Sequence, residues 1–250
     1  MTDREEKQEE RIREAEPYEG YWEESYGFVF KKLQELVSGR DFSRALEFGC
    51  GRGEFFERYA RSFDEVIAIE RDWNKRDKAM EEAYWNDMKH IRFKSSEEDG
   101  EPLEKESFDM VLVGQPLRHM SGSEAEDTVQ KSRELLRSGG LLVLLAPHLK
   151  KGQERFLETK RTEEGNFSTE AVSEEDFEDK KDQDGPEMLI QRFRSEDFAQ
   201  ENLRILETFY YHDTILPGFL DRIASRDRII NLPFLKGFFG SEMMVVLKKE

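Results

Sequence analysis

The sequence has little that would cross-link the chain or carry it through a membrane. It contains one cysteine, Cys50, which excludes a disulfide within the chain. No apolar run approaches the roughly 20 residues that a membrane-spanning helix needs. Residues 1–16 are nearly all charged or polar and contain no apolar stretch of the kind found in signal peptides. We therefore expect a soluble cytoplasmic protein without membrane insertion.

Clustered positive charge is also missing. The net charge is -17, although 38% of the residues are charged. A surface that binds nucleic acid through its phosphates needs grouped Lys and Arg, and the overall field here repels a polyanion. The His, Cys and acidic residues show no metal-ligand spacing. We expect neither a nucleic-acid partner nor a metal site, and the composition leaves the oligomeric state open.

Short apolar runs alternate with helical segments from Arg44 onward, which predicts βαβ units and a parallel sheet covered on both faces. The predicted strands are 45–48, 66–69, 91–93, 108–113, 141–145, 205–211 and 243–247. The predicted helices are 55–63, 74–88, 124–136, 195–203 with Ser195 as N-cap, and one around 219–230. A turn is predicted at residues 138–140, before the fifth strand.

Composition divides the chain into four parts. Residues 1–39 form an acidic lead and a helix, and residues 40–149 form the α/β core. Residues 150–190 are polar and acidic with little periodicity, which predicts either a mobile insertion or a cap. Residues 191–250 return to the earlier pattern and are expected to complete the same fold.

A glycine-rich segment follows the first predicted strand and precedes a helix. It spans residues 47–53 and reads EFGCGRG. Glycines at such a turn let the backbone approach a ligand closely, and the N–H groups that begin the next helix favour an anionic group. Glu70 ends the second strand, where its carboxylate can accept both hydroxyl groups of a ribose. The pattern therefore predicts a site for a nucleoside-containing ligand.

The spacing and charge of this segment distinguish between such ligands. A dinucleotide fingerprint has its third glycine at the sixth position, which Glu54 occupies here, and glycine falls at Gly53 instead. A buried carboxylate beside a pyrophosphate is repulsive. Glu47 adds a further negative group that suits an ammonium. S-adenosylmethionine carries an ammonium, a sulfonium and one carboxylate, so the charges favour it over a dinucleotide.

At these positions the chain resembles the class I S-adenosylmethionine-dependent methyltransferases, in particular those that act on small molecules. The resemblance rests on residues 47–53, on 96–103 followed by 107–109, and on 133–140. It implies a Rossmann-like three-layer α/β sandwich, whose seven-stranded, mostly parallel sheet has an antiparallel last strand. It also implies S-adenosyl-L-methionine as cofactor and S-adenosyl-L-homocysteine as product.

The resemblance assigns cofactor-binding roles residue by residue. Around the methionine part lie Glu47, Gly49, Cys50, Gly51, Gly53, Gly114 and Gln115, with Glu47 at the ammonium. At the ribose and the adenine lie Glu70, Arg71, Glu97 and Glu98, with Asp72 beside the ribose. Glu97 stands where the family has Asp, which moves the carboxylate by one methylene. Cys50 is interpreted as a small packing residue rather than a nucleophile.

The expected reaction is in-line displacement at the sulfonium methyl, with a histidine as general base if the acceptor needs one. His119 and His148 follow strands four and five at their carboxyl ends, where ligands bind in open α/β sheets. The sequence indicates a small-molecule acceptor without identifying it. Two alternatives stay open: a cofactor-binding partner or scaffold subunit without catalysis, and a nucleotide-dependent oxidoreductase on a similar fold.

Overall fold

The computed structural model of the protein describes residues 27–161, 167–180, 188–211 and 242–250. The predicted acidic lead and the helix predicted around residues 219–230 lie outside these ranges. Within the described part of the chain, no helix is both long enough and apolar enough to cross a membrane.

Strands and helices alternate through the first half of the chain, as the hydrophobic pattern predicted. The strands are β1 (Arg44–Phe48), β2 (Glu65–Ile69), β3 (Ile91–Lys94), β4 (Phe108–Val113), β5 (Leu136–Pro147), β6 (Phe156–Arg161), β7 (Phe167–Ala171), β8 (Met188–Gln191), β9 (Leu203–Tyr211) and β10 (Glu242–Lys249). The helices are α1 (27–37), α2 (Phe56–Tyr59), α3 (Trp73–Trp85), α4 (Gly122–Leu135) and α5 (Glu174–Lys180). Single 3₁₀ turns cover Ala60–Ser62, Gln115–His119 and Ser195–Phe198.

The main sheet has seven strands in the order β3-β2-β1-β4-β5-β10-β9. The first five strands pair in parallel, and β10 runs antiparallel to both of its neighbours. This arrangement confirms the predicted mostly parallel sheet with an antiparallel last strand. From the central pair β1 and β4, the chain proceeds through β2 and β3 on one side and through β5 on the other. The loops that follow β1 and β4 therefore leave the same end of the sheet side by side.

The sheet is the middle of three layers because both of its faces are apolar. Every residue of β4 is buried. Met110 and Leu112 join the hydrophobic cluster that contains α1, α2 and α3, whereas Val111 and Val113 join the cluster that contains α4. This alternation is what the pleat of a strand produces when helices cover both faces.

Two predictions about local structure were wrong in detail. Residues 195–203 do not form a helix: a single 3₁₀ turn spans Ser195–Phe198, and its N-cap is Arg194 rather than Ser195. The chain then turns into β9 because Asn202 adopts a left-handed φ of 62°. The turn predicted at residues 138–140 lies within β5, where the pairing with β4 shifts register and Gly139 takes a φ of 81°.

A second, smaller sheet lies in the segment between β5 and β9. It consists of β6, β7 and β8 in the antiparallel order β7-β6-β8, with a small core of Phe156, Phe177 and Leu189. The buried carboxylate of Glu158 receives two hydrogen bonds from Lys180 of α5. This segment is built around paired strands although its sequence has little periodicity.

The beginning of the main sheet is held by a buried carboxylate on β4. Asp109 is 2% exposed, and its Oδ2 accepts the backbone N–H groups of Ser43 and Arg44, each at 2.7 Å. Its Oδ1 pairs with Nε of Arg137 at the start of β5. One side chain therefore joins three adjacent strands at their amino ends.

We expect Asp109→Ala to lower the free energy of unfolding by about 3 kcal/mol, since two backbone donors lose their acceptor. Denaturant unfolding measures this loss. Asp109→Asn, which keeps one carbonyl oxygen, is expected to cost less. The control Glu81→Ala removes an exposed carboxylate paired with Lys78 and is expected to change stability by less than about 0.5 kcal/mol. Equal losses for Ala and Asn would assign the effect to the ion pair instead.

Candidate functional site

The glycine segment leaves β1 as a loop folded over the end of β2. The amides of Gly49 and Cys50 both donate to the carbonyl oxygen of Ile69, at 2.8 Å and 3.1 Å. The three glycines have left-handed φ angles: 67° at Gly49, 59° at Gly51 and 87° at Gly53. Side-chain-bearing residues rarely adopt such angles, so the glycine pattern is a requirement of this backbone path.

Gly49 is also constrained by a close neighbour. A Cβ at this position would lie 1.9 Å from Cγ and 2.7 Å from Cδ of Pro116, which follows β4. The loops after β1 and β4 are therefore in direct contact, as expected for neighbouring parallel strands. The sequence does not reveal this role of Pro116, because 67 residues separate the two positions and only the strand order brings them together.

Glu70 joins the glycine loop to the end of β2. Its Oε2 accepts the backbone N–H of Gly51 at 3.0 Å, and its Oε1 accepts the backbone N–H of Asp72 at 2.9 Å. Asp72 in turn caps α3 by accepting from the amides of Asn74 and Lys75. Each oxygen of an ionised carboxylate has more than one acceptor site, so Glu70 can still receive hydroxyl groups of a ligand.

Glu47, unlike the partly exposed Glu70, is buried. Its side chain points into the α2 side of the sheet and is 1% exposed. The hydroxyl of Tyr59 on α2 donates to Oε2 at 2.6 Å, whereas Oε1 is buried and has no protein partner in the described part of the chain. Such an atom is rare in native proteins because an unsatisfied buried oxygen is costly.

The loop is surrounded by carboxylates. Burial raises the pKa of Glu47 to about 8, the hydrogen bond from Tyr59 acts against that rise, and the charges of Glu54 and Glu70 add to it. Burial likewise raises the pKa of Glu54, whose Oε2 accepts from the amide of Arg52. This environment suits a ligand that brings a positive group and disfavours a pyrophosphate.

Cys50 is an integral part of this packing. Its side chain is buried in the same hydrophobic cluster as Phe55 and Tyr59. Burial, followed by the nearby carboxylates of Glu47 and Glu70, raises the pKa of its thiol far above the ordinary range. A thiol in this state is not an activated nucleophile. Among the described residues, no group of three or more His, Cys, Asp or Glu is arranged to hold a metal ion.

The residues predicted at the adenine and beyond the ribose are more exposed. Glu97 is 34% exposed and pairs with Lys131 of α4 at 3.2 Å, while Glu98 and Arg71 are exposed. Gly114 is buried directly after β4, and Gln115 opens the 3₁₀ turn that contains Pro116. These positions follow the carboxyl ends of β2, β3 and β4 and remain predictions as binding residues.

The two histidines predicted as bases occupy different surroundings. Nδ1 of His119 lies 2.8 Å from the carbonyl oxygen of Leu189, which ties the loop after β4 to β8 of the smaller sheet. His148 is buried and packs on the ring of Tyr210, with centroids 4.5 Å apart. Tyr210 belongs to the α4 side of the sheet, opposite to Glu47. The two histidines therefore have different partners, and their roles stay predictions.

Tyr59 is the site residue that sequence reasoning missed. The available signal was Glu47 itself, because a carboxyl group near the end of a buried strand needs a hydrogen-bond donor. The helix after a glycine loop packs over that strand end, so a Tyr one turn beyond the buried Phe55 and Phe56 is the natural candidate. The sequence therefore points to Tyr59 only once Glu47 is taken to be buried.

The family described as "Methyltransferase domain" matches residues 45–140, from β1 to the start of β5. The central part of the chain is therefore similar to a methyltransferase domain. An uncharacterized methyltransferase of Anoxybacillus flavithermus is 27% identical over 128 residues, covering 48% of this chain and 56% of that relative. The matched part of the chain thus accounts for little more than half the length of this relative.

Solved structures share the fold of this chain. An S-adenosylmethionine-dependent methyltransferase from Clostridium acetobutylicum superimposes with a TM-score of 0.56 at 11% identity, covering 94% of this chain and 98% of that one. Coclaurine N-methyltransferase, bound to N-methylheliamine and S-adenosylhomocysteine, gives 0.54 at 16% identity, with 88% and 72% covered. At these identities the two structures show that the chain shares their fold.

The contact between Gly49 and Pro116 can be tested with a matched glycine. Gly100 has a φ of 68° but nothing within 4 Å of its Cβ position, so Gly100→Ala reports backbone strain alone, about 1–2 kcal/mol. We expect Gly49→Ala to cost clearly more in denaturant unfolding. Adding Pro116→Ala removes the two closest atoms and is expected to recover part of the loss. Equal losses at the two glycines would show that the contact is unimportant.

The burial of Glu47 predicts a specific pH dependence of stability. Its pKa is raised on folding from 4.5 to about 8, so the folded protein holds a proton that the unfolded chain releases, and stability falls as pH rises through this window. Glu47→Gln lacks this loss. We expect its stability relative to wild type to grow by about 1.4 kcal/mol per pH unit between about pH 5 and 8.

Denaturant unfolding at three pH values across this window measures the difference. The exposed variant Glu81→Gln serves as control and is expected to follow the wild type at every pH. A constant difference between Glu47→Gln and the wild type would contradict the raised pKa.

Proposed function

We propose that the protein transfers a methyl group from S-adenosylmethionine to a small-molecule acceptor. The observation that carries the proposal is the loop of three left-handed glycines, closed by the carboxylate of Glu70 and lying above the buried Glu47. This arrangement offers close backbone approach, a hydroxyl-accepting carboxylate and a partner for an ammonium within one short stretch of chain.

The residues fit the parts of this cofactor. The buried Oε1 of Glu47 lacks a protein partner, and an ammonium group would supply one, directly or through water. Glu70 is held at the loop by the Gly51 amide and would accept the ribose hydroxyls. Arg71, Glu97 and Glu98 are proposed for the ribose and adenine end, and Gly114 and Gln115 for the methyl side.

The same features argue against a dinucleotide and an oxidoreductase. Glu54 takes the position where a dinucleotide site has its third glycine, and its carboxylate accepts the amide of Arg52 at 3.1 Å. Glu47, Glu54 and Glu70 together place three acidic groups around one loop. A pyrophosphate would meet repulsion here, whereas a cationic sulfonium and ammonium would be attracted.

We propose that the acceptor lies between the loop after β4 and the smaller sheet. β8 contacts the 3₁₀ turn Gln115–His119, and the hydrogen bond between His119 and Leu189 joins the two. This turn also touches Gly49 through Pro116, so one short segment connects the glycine loop to the sheet of β6, β7 and β8. A compact site of this kind suits a small molecule, and the net charge of -17 disfavours nucleic acid.

The residues of the chain mainly align the methyl group with the acceptor. When bound, the cofactor would supply an electrophilic methyl group on a sulfonium, and the loop and Glu70 would hold it. His119 is proposed to remove a proton from the acceptor. Because Nδ1 faces the Leu189 carbonyl oxygen, that nitrogen carries the proton in the neutral ring and Nε2 is the basic atom. His148 remains the second candidate.

Calorimetric titration tests the cofactor assignment. The wild type is expected to bind S-adenosylmethionine and S-adenosylhomocysteine but not NAD. Glu70→Ala is expected to weaken both adenosyl ligands by about 10- to 100-fold, since hydrogen bonds to a charged group are lost. Glu81→Ala, which removes an exposed carboxylate from α3, is the matched control and is expected to bind as the wild type does.

Preference for NAD, or no binding of either adenosyl ligand, would refute the proposed function. Binding that Glu70→Ala leaves unchanged would refute the site. Turnover with acceptor mixtures then separates an enzyme from a subunit that only binds the cofactor: methyl transfer to a small molecule supports the proposal, and binding without transfer to any acceptor favours the binding subunit.

A further inference from the structure

Glu47 is surrounded by groups that do not balance a negative charge. From α2, Tyr59 donates one hydrogen bond to Oε2. From the loop, Cys50 and Glu54 face it, and from the end of β2, Glu70 does. None of these is a cation, and within the described ranges Glu47 takes part in no ion pair. Among the described residues, the charges that raise the pKa of Glu47 are those of two further carboxylates, Glu54 and Glu70.

An ionised carboxylate in this position is unfavourable. Burial removes its hydration, and one hydrogen bond from a neutral phenol does not replace it. The charges of Glu54 and Glu70 add repulsion, so the pKa of Glu47 rises to about 8. The unpartnered Oε1 leads to the same conclusion from geometry alone, because a neutral carboxylic acid is less costly to bury than an anion.

We propose that Glu47 carries a proton before the cofactor binds, and that binding of the cofactor's ammonium group expels this proton to solvent. The inference rests on the proposed function and deepens it. Tyr59 is the positioning residue of the exchange: it holds Oε2, which leaves Oε1 as the atom that receives the incoming group.

The exchange balances one proton. Before binding, the carboxylic acid of Glu47 and the ammonium of the cofactor each hold an ionisable proton. In the complex, the two groups share a single N–H···O interaction and the second proton leaves to water. No bond other than O–H is broken, and no further reactant is needed. The buried site thus exchanges a neutral carboxyl group for a paired carboxylate and ammonium.

Proton release makes the affinity depend on pH. By linkage, binding that releases one proton strengthens about tenfold for each unit of pH increase. The effect covers the range in which Glu47 is protonated, and it ends near the value of about 8 at which an α-amino group itself loses its proton. We therefore expect affinity to rise between about pH 6 and 7.5 and then to level off.

Calorimetry with S-adenosylhomocysteine measures the exchange directly. Titrations at about pH 6.5, where an α-amino group is protonated, are repeated in buffers of different ionisation enthalpy. The slope of the observed enthalpy against the ionisation enthalpy gives the number of protons released. We expect a slope close to one proton for the wild type and for the control Glu81→Gln, and a slope close to zero for Glu47→Gln.

Tyr59→Phe provides a second, independent variant. Loss of its hydroxyl removes a hydrogen bond that lowers the pKa of Glu47, so proton release is expected to extend to higher pH. A purely structural role for Tyr59 would weaken binding equally at all pH values and would not move this window. If Glu47→Gln does not fold, Tyr59→Phe still tests the proposal.

The outcomes are distinguishable. Tight binding by the wild type without proton release would overturn the inference and leave the proposed function intact. Release that persists in Glu47→Gln, or an unmoved window in Tyr59→Phe, would also overturn it by assigning the proton to another group. Failure of the wild type to bind S-adenosylhomocysteine would refute the proposed function, and this inference with it.

Discussion

The central sheet is covered on both faces, and the rest of the structure depends on that constraint. Strands such as β4 are buried along their whole length, so polar side chains belong near strand ends, where backbone and water can satisfy them. At the amino end, Asp109 uses this position to join three strands. At the carboxyl end, Glu47 and Glu70 frame the glycine loop. The stabilising contacts of Asp109 and the candidate site thus lie at opposite ends of the strands of one sheet.

The two carboxylates at the carboxyl end differ because their surroundings differ. Glu70 accepts backbone amides on both oxygens and lies beside solvent. Glu47, two positions before the first glycine, is enclosed by α2 and satisfied on one oxygen only. The same residue type therefore joins a loop to a strand end in one place and is a buried carboxyl group with one unpaired oxygen in the other. Environment separates their chemistry, as pairs of acidic groups in binding sites often show.

The segment between β5 and β9 shows where sequence patterns lose their value. Its strands are short and polar, and much of its small core comes from Phe156, Phe177 and Leu189, which are far apart in the chain. Hydrophobic periodicity reports a helix or strand that packs on a large core, whereas this sheet is stabilised by pairing and by the buried contact between Glu158 and Lys180. The hydrophobic pattern of residues 150–190 therefore did not distinguish a mobile insertion from a cap.

The sequence by itself determined the order of strands and helices in the core, the left-handed loop and the acidic residue after β2, because each follows from local spacing and from the limits on backbone angles. Only the tertiary structure decided the contact of Pro116 with Gly49, the bond from Tyr59 to Glu47 and the partners of the two histidines. These depend on which strands become neighbours and on which face each side chain lies. Strand pairing between distant segments sets both, and no local pattern encodes it.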